Sequence, residues 1–205
     1  MDHMDHTTFG FFEVGCLAFG EPVADAHREV ALASGENGNL RGYPPSTASM
    51  ITDLCERAGP GYESPGDITA IFSILVAASD MEGPIADILR GVLDGHIVLD
   101  RAIAERGRFP AIDLLRSVSR SLPEAASDPE NQIILRARQL LGTYEQNEMM
   151  VKAGLYTKGA DSEIDTAIDV WPELDRFIAE SENDLGIEAS FERLVACMEG
   201  QPEPK

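Results

Sequence analysis

The sequence predicts two successive architectures, an α/β piece as far as about residue 122 and a small all-helical domain after it. Three observations carry this. Short apolar runs of strand type alternate with short helical ones up to Ser119, Leu122-Pro123 closes that pattern, and beyond it apolar residues recur only at helical spacing. The 205 residues suffice for one sizeable domain or one and a half small ones. The chain therefore reads as an irregular N-terminal segment over 1–23, an α/β piece over 24–122 and a helical domain over 123–205.

In chain order, residues 1–23 show neither helical nor strand periodicity, and Gly10, Gly15, Gly20 and Pro22 punctuate them. Ala24–Ser34 predicts a helix stopped by Gly35. A loop runs through Asn37-Gly38-Asn39 to Gly42-Tyr43-Pro44-Pro45. Ser46 is then expected to cap a helix with Met50, Ile51 and Leu54 on one face and Gly59-Pro60 at its end. Ile68–Ala78 is almost continuously apolar, as in a strand covered on both faces. Asp80–Leu93 reads as a loop and a short helix, Ile97-Val98-Leu99 as a strand, Arg101–Glu105 as a helical turn and Ala111–Ser117 as a strand.

After Leu122-Pro123, Asp128-Pro129 reads as a cap with proline at the first helical position. Ile133, Ile134, Ala137, Leu140, Leu141 and Tyr144 form one apolar stripe. Ile164, Ala167, Ile168 and Trp171 form a second, with Pro172 marking a break or a restart. Phe191, Leu194, Val195 and Met198 form the third. These are core faces rather than a cofactor box. No internal repeat is present.

Acids outnumber bases 36 to 16, a formal charge of −20. Such a chain repels a phosphate backbone, which excludes nucleic-acid binding through a broad basic face. Asp161–Lys205 holds 13 acids against 3 bases, read as a solvated helical surface, with a site for a basic partner as the alternative. Cys16, Cys55 and Cys197 show neither metal spacing nor a disulfide framework, which fits a reducing cytosol. No stretch approaches the ~18 apolar residues a membrane helix needs. Met1-Asp2-His3-Met4-Asp5-His6 is acidic where a secretory signal is basic, and its Asp-His repeat reads as a frayed tail rather than a metal site. The expected location is cytoplasmic.

Four stretches, in order, carry a resemblance. The first is Ala26-His27-Arg28-Glu29-Val30-Ala31-Leu32-Ala33-Ser34-Gly35-Glu36 with Arg41-Gly42-Tyr43-Pro44-Pro45-Ser46. The second is Ile68-Thr69-Ala70-Ile71 with Asp80-Met81 and Pro84-Ile85-Ala86-Asp87. Leu93-Asp94-Gly95-His96-Ile97-Val98-Leu99 is the third. The fourth joins Ala104-Glu105-Arg106-Gly107, Phe109-Pro110-Ala111-Ile112-Asp113 and Ser117-Val118-Ser119-Arg120. Over about residues 24–180 the chain resembles the C-terminal part of the flagellar and type III secretion export ATPases, relatives of the catalytic subunits of rotary ATP synthases. Glu-Arg-Gly followed by aromatic-Pro-Ala-Ile-Asp points to the export branch. The chain departs from the family at Asp67 and Asp100, where Ser or Thr and Ser are usual, and at Asn37-Gly38, and upstream of Ala24 the match vanishes. The resemblance implies the C-terminal part of a RecA-like P-loop ATPase core sheet, followed by a small all-α domain.

A complete family member holds phosphates with Gly-x-x-x-x-Gly-Lys-Ser/Thr. Here the three lysines are Lys152, Lys158 and Lys205, none of them in that frame. The apolar strand ending in the Mg²⁺-positioning Asp and the catalytic-glutamate segment are likewise missing. Glu105-Arg106-Gly107-Arg108 resembles that segment superficially, but its neighbours identify it as the later motif. The expectation is the C-terminal portion of an export ATPase lacking the phosphate site, which would not bind ATP and Mg²⁺ tightly alone.

By resemblance, Arg120 matches the arginine that reaches across a subunit interface to a neighbour's nucleotide, a finger acting in trans. Tyr43 has two readings, an aromatic wall for adenine or a ring packed on the double proline. Tyr156 would supply a second wall, or packing. His27 and His96 read as structural, and Asp80, Asp87 and Asp94 as caps and turns rather than a cation site, so no metal site is expected. The resemblance implies a six-membered homo-oligomeric ring, a stator-like regulator, a coiled-coil stalk protein, export substrates with their chaperones, and a place at the periphery of the membrane export gate. The competing readings are a non-catalytic interaction module built on the helical domain, and a fragment of an ATP synthase subunit.

Overall fold

The computed structural model describes residues 21–39, 41–60, 67–74, 83–179 and 186–199. The chain divides into two compact units, Met1–Leu93 and Asp94–Lys205. In the first, α1 spans Glu21–Ala33, α2 Pro45–Cys55 and α3 Pro84–Val92, and β1 (Gly59–Pro60) pairs antiparallel with β2 (Asp67–Ile68). Ala24, Tyr43, Ile51, Cys55, Ile85 and Leu89 form its buried core. Polar bonds tie α1 to the first turn of α2 and to the loop before it: His27 Nδ1 lies 3.1 Å from Thr47 Oγ1, and Tyr43 donates its hydroxyl to Asp25 at 2.7 Å.

Three expectations fail in this unit. Helix α1 starts at Glu21, so the segment expected to be irregular as far as residue 23 already ends in its first turn. Helix α2 begins two residues early, with Pro44 as its N-cap and Pro45 in the first turn, because the fixed φ of proline suits that position. The Ser46 hydroxyl is buried without a hydrogen-bond partner instead of capping the helix. The apolar run from Ile68 does not make a strand buried on both faces. Beyond Ile68 the strand does not continue through residue 74, where Phe72 makes only an isolated β-bridge, and residues 75–78 lie outside the described ones. Phe72 and Ile74 pack against the α2–α3 core, whereas Ile68 and Ile71 remain 50% and 59% exposed. A continuous apolar run becomes a doubly covered strand only where other strands flank it.

The second unit opens with β3 (Gly95–Leu99), α4 (Arg101–Glu105) and β4 (Ile112–Ser119), the two strands pairing antiparallel. Asp100 caps α4 by accepting the amides of Ala102 and Ile103, so the residue that departs from the family pattern still performs a cap's task. Then come α5 (Asp128–Lys152), α6 (Ser162–Ala179) and α7 (Gly186–Met198). Their apolar stripes meet in a core of Ala137, Leu140, Tyr144, Ala167, Val170, Leu174 and Cys197. The Tyr144 and Trp171 rings stack at 4.5 Å.

Two local expectations are corrected here as well. The N-cap of α5 is Ser127, with Asp128 and Pro129 already inside the helix. The Glu130 carboxylate accepts both the Ser127 amide and its hydroxyl at 2.7 Å, which outcompetes Asp128 for the cap. Helix α6 runs without interruption through Pro172. The stacked Trp171 and buried Leu174 on either side hold it helical despite the missing amide.

Candidate functional site

Arg120 follows the last residue of β4 and is solvent-exposed. Its amide donates to the Asp94 carbonyl at 2.7 Å, fixing the backbone at the point where the strand ends. The approach is close: a Cβ at Gly95 would lie 2.5 Å from the Val118 carbonyl oxygen, so only glycine lets β3 run this near β4.

Behind Arg120 the ladder is irregular. His96 faces Val118 and Val98 faces Asp113, so two steps on β3 are opposed by five on β4. The intervening backbone is satisfied by side chains. Asp113 Oδ1 accepts the Leu115 and Arg116 amides at 3.0 Å each. Ser117 Oγ accepts the Val98 amide at 3.0 Å and donates to the Asp113 carbonyl at 2.6 Å. From α5, Arg138 donates to the carbonyls of Leu114 (2.7 Å), Leu115 (3.1 Å) and Ser117 (3.3 Å). Arg108, 3.1 Å from Asp175 of α6, also donates to the Pro110 and Ile112 carbonyls. The segment leading to Arg120 is thus braced by guanidinium groups along its length.

The other sequence-predicted residues are placed differently. Tyr43 lies in the first unit at 8% exposure, its hydroxyl on Asp25 and the Arg28 guanidinium 5.1 Å over its ring. Arg28 also pairs with Asp25 and Glu29, and the bond to Glu29 raises its pKa. A base can stack on Tyr43 only where Arg28 yields that face. Tyr156, on the turn between α5 and α6, donates to the Asp161 carbonyl and Asp165 Oδ1 at 2.9 Å. Desolvation and the bond to Asp165 push its phenol up. Beside it, Lys158 is held by both oxygens of Asp169 at 2.9 Å, which raises its pKa.

Phe109, which the sequence marks only as the aromatic of the family motif, is 63% exposed ahead of β4. Sequence reasoning misses Arg138, because a lone arginine on a helix stripe carries no motif. Among the described residues, no group of three or more His, Cys, Asp or Glu stands together to hold a metal ion.

Residues 21–119 match the nucleotide-binding domain of the ATP synthase alpha/beta family. Residues 126–198 match the C-terminal domain of the type III secretion EscN ATPase. The flagellum-specific ATP synthase of Caulobacter vibrioides is 41% identical over 184 residues, 87% of this chain and 41% of the relative. The assembled ATPase EscN from the enteropathogenic E. coli type III secretion system aligns with a TM-score of 0.79 at 39% identity, over 85% of this chain and 42% of that one. EscN in complex with its central stalk EscO aligns with a TM-score of 0.73 at 39% identity, over 85% of this chain and 41% of that one. The chain belongs to the family of flagellar and type III secretion export ATPases. It spans about two fifths of the length of the Caulobacter relative.

Proposed function

We propose that the chain acts as the C-terminal portion of an ATPase that energises flagellar or type III protein export, and that it is not catalytic alone. One observation carries this reading: Arg120 stands exposed at the braced end of β4, while the 205 residues contain no phosphate-binding loop. In such an arrangement the chain supplies an arginine and a neighbouring subunit supplies the bound ATP. The planar guanidinium meets two phosphoryl oxygens at once, and the contact strengthens as charge develops on the transferred group. A finger of this kind contributes ~10³–10⁵ in rate.

The domain boundary is proposed near residue 122, and of the N-terminal segment residues 1–20 lie outside the family match. The ends of the two family matches, at 119 and 126, support it. Tyr43 and Tyr156 are retained as secondary proposals for contact with adenine. The partners proposed are a six-membered ring of like subunits, a coiled-coil stalk protein, a stator-like regulator and export substrates with their chaperones. The assembled EscN and its complex with a central stalk support the first two. Among the described residues no helix is long and apolar enough to cross a membrane. A cytoplasmic chain, peripheral to the export gate, is proposed on that basis and on the family.

The test has two arms. The purified chain is expected neither to hydrolyse ATP nor to bind it tightly, since stacking on an aromatic ring contributes only ~1–3 kcal/mol without a phosphate cradle. Micromolar, Mg²⁺-dependent binding in calorimetry would sink this half of the reading. In rings mixed with complete subunits, Arg120→Lys is expected to cut turnover sharply and leave nucleotide affinity nearly unchanged. A second reading, a non-catalytic interaction module, is favoured by Met149 and Leu155, both largely exposed at the α5–α6 corner. Equal turnover with Arg120→Lys, assembly being confirmed by mass, would select it.

A further inference from the structure

We propose that Arg138 is the positioning residue for Arg120, holding the bulge of β4 so that the strand end presents the guanidinium at one fixed place. The inference rests on the reading of Arg120 as a finger acting in trans. Between the His96–Val118 and Val98–Asp113 pairs, the residues 114–117 lie outside the β3 ladder, so their backbone groups need other partners. Locally, Asp113 Oδ1 accepts the amides of Leu115 and Arg116. The acceptor side is supplied from elsewhere. Three carbonyls in four residues, those of Leu114, Leu115 and Ser117, converge on the one guanidinium of Arg138.

That convergence is specific to arginine. A planar fork with five N–H groups can serve three acceptors in a fixed arrangement, whereas an ammonium is a point donor on a flexible stem. Arg120 is three residues beyond the last clamped carbonyl, and its own amide is pinned to Asp94 at 2.7 Å. The backbone leading to the finger is thereby held at both ends. Because Arg138 belongs to α5, the place of the finger is set by the first helix of the helical domain. Arg138 acts through Arg120 and is a positioning residue, not a catalytic one.

The experiment uses the full chain in rings with a complete flagellum-specific ATP synthase whose own arginine aligned with Arg120 has been replaced, so that only this chain can supply the finger. Wild type, Arg120→Lys, Arg138→Met, Arg138→Lys and the Arg120→Lys/Arg138→Met double variant are compared, each with assembly checked by mass and folding by circular dichroism. Arg138→Met is expected to lower kcat by ~10–100-fold with KM unchanged, as a small misplacement of a catalytic group does. Arg138→Lys falls in the same direction, and it carries the test if Arg138→Met does not fold. In the Arg120→Lys background, Arg138→Met is expected to add no further loss, since the two act as one unit. Wild-type turnover with both Arg138 variants, or losses that multiply in the double variant, overturns the inference while the finger reading stands. Unchanged turnover with Arg120→Lys marks failure of the finger reading itself, and the inference falls with it.

Discussion

At Gly95 a single missing methyl group decides whether β3 and β4 can meet. An added Cβ would be 2.5 Å from a backbone oxygen that no side-chain rotation can move. Gly95→Ala is expected to destabilise the second unit by about 1–3 kcal/mol, the cost of forcing an extra carbon into a closed contact. Urea unfolding of the purified variant measures it. A second residue-scale expectation concerns Glu130, whose pKa the Ser127 hydroxyl and amide lower. The folded state favours its ionised form, so the contribution is complete above the ordinary glutamate range. It is lost as pH falls through the lowered folded value. Glu130→Gln should therefore be less stable than wild type at neutral pH, and the gap should close in acid. A gap that widens on acidification would contradict the sign.

At the scale of elements, the helices of the second unit were legible because their stripes are long. Ala137, Leu140 and Tyr144, with Ala167 and Trp171, recur at helical spacing and pack together as expected. Leu174, 2% exposed in α6, is expected to cost about 2–5 kcal/mol when cut back to alanine, with the loss read as a lower melting temperature. Failures occurred where one residue had to choose between local partners. Ser46 yielded its cap to Pro44, and Asp128 yielded to Ser127, because the winner depends on which carboxylate or proline lies within reach. The bulge of β4 was invisible for a related reason. Its brace, Arg138, is 21 to 24 residues from the carbonyls it holds, and no periodicity encodes that distance. For the candidate site, the motif nominates Arg120, while the packing that braces its strand is not encoded in any motif. Tyr43 was chosen for its ring, but composition could not reveal that Arg28 covers that ring.

For the whole molecule, two units with separate cores need not open together. The helices α5 and α6 bury a continuous stripe and a stacked aromatic pair, whereas residues 69–74 carry only an isolated β-bridge at Phe72. Amide hydrogen exchange is expected to protect Ile133–Tyr144 more strongly than Ile68–Ile74, and the reverse order would contradict this expectation. The unequal pairing of β3 and β4 has a mechanical consequence too. Two steps on one strand against five on the other leave slack, three residues of chain that the ladder does not consume. Extended, that reserve is about 10 Å of travel. Drawn out, it would let the strand tip advance while Val98–Asp113 and Leu99–Ile112 stay paired, like line paid out from a reel whose brakes are the Arg138 side chain and the pairing of the tip with Asp94–His96.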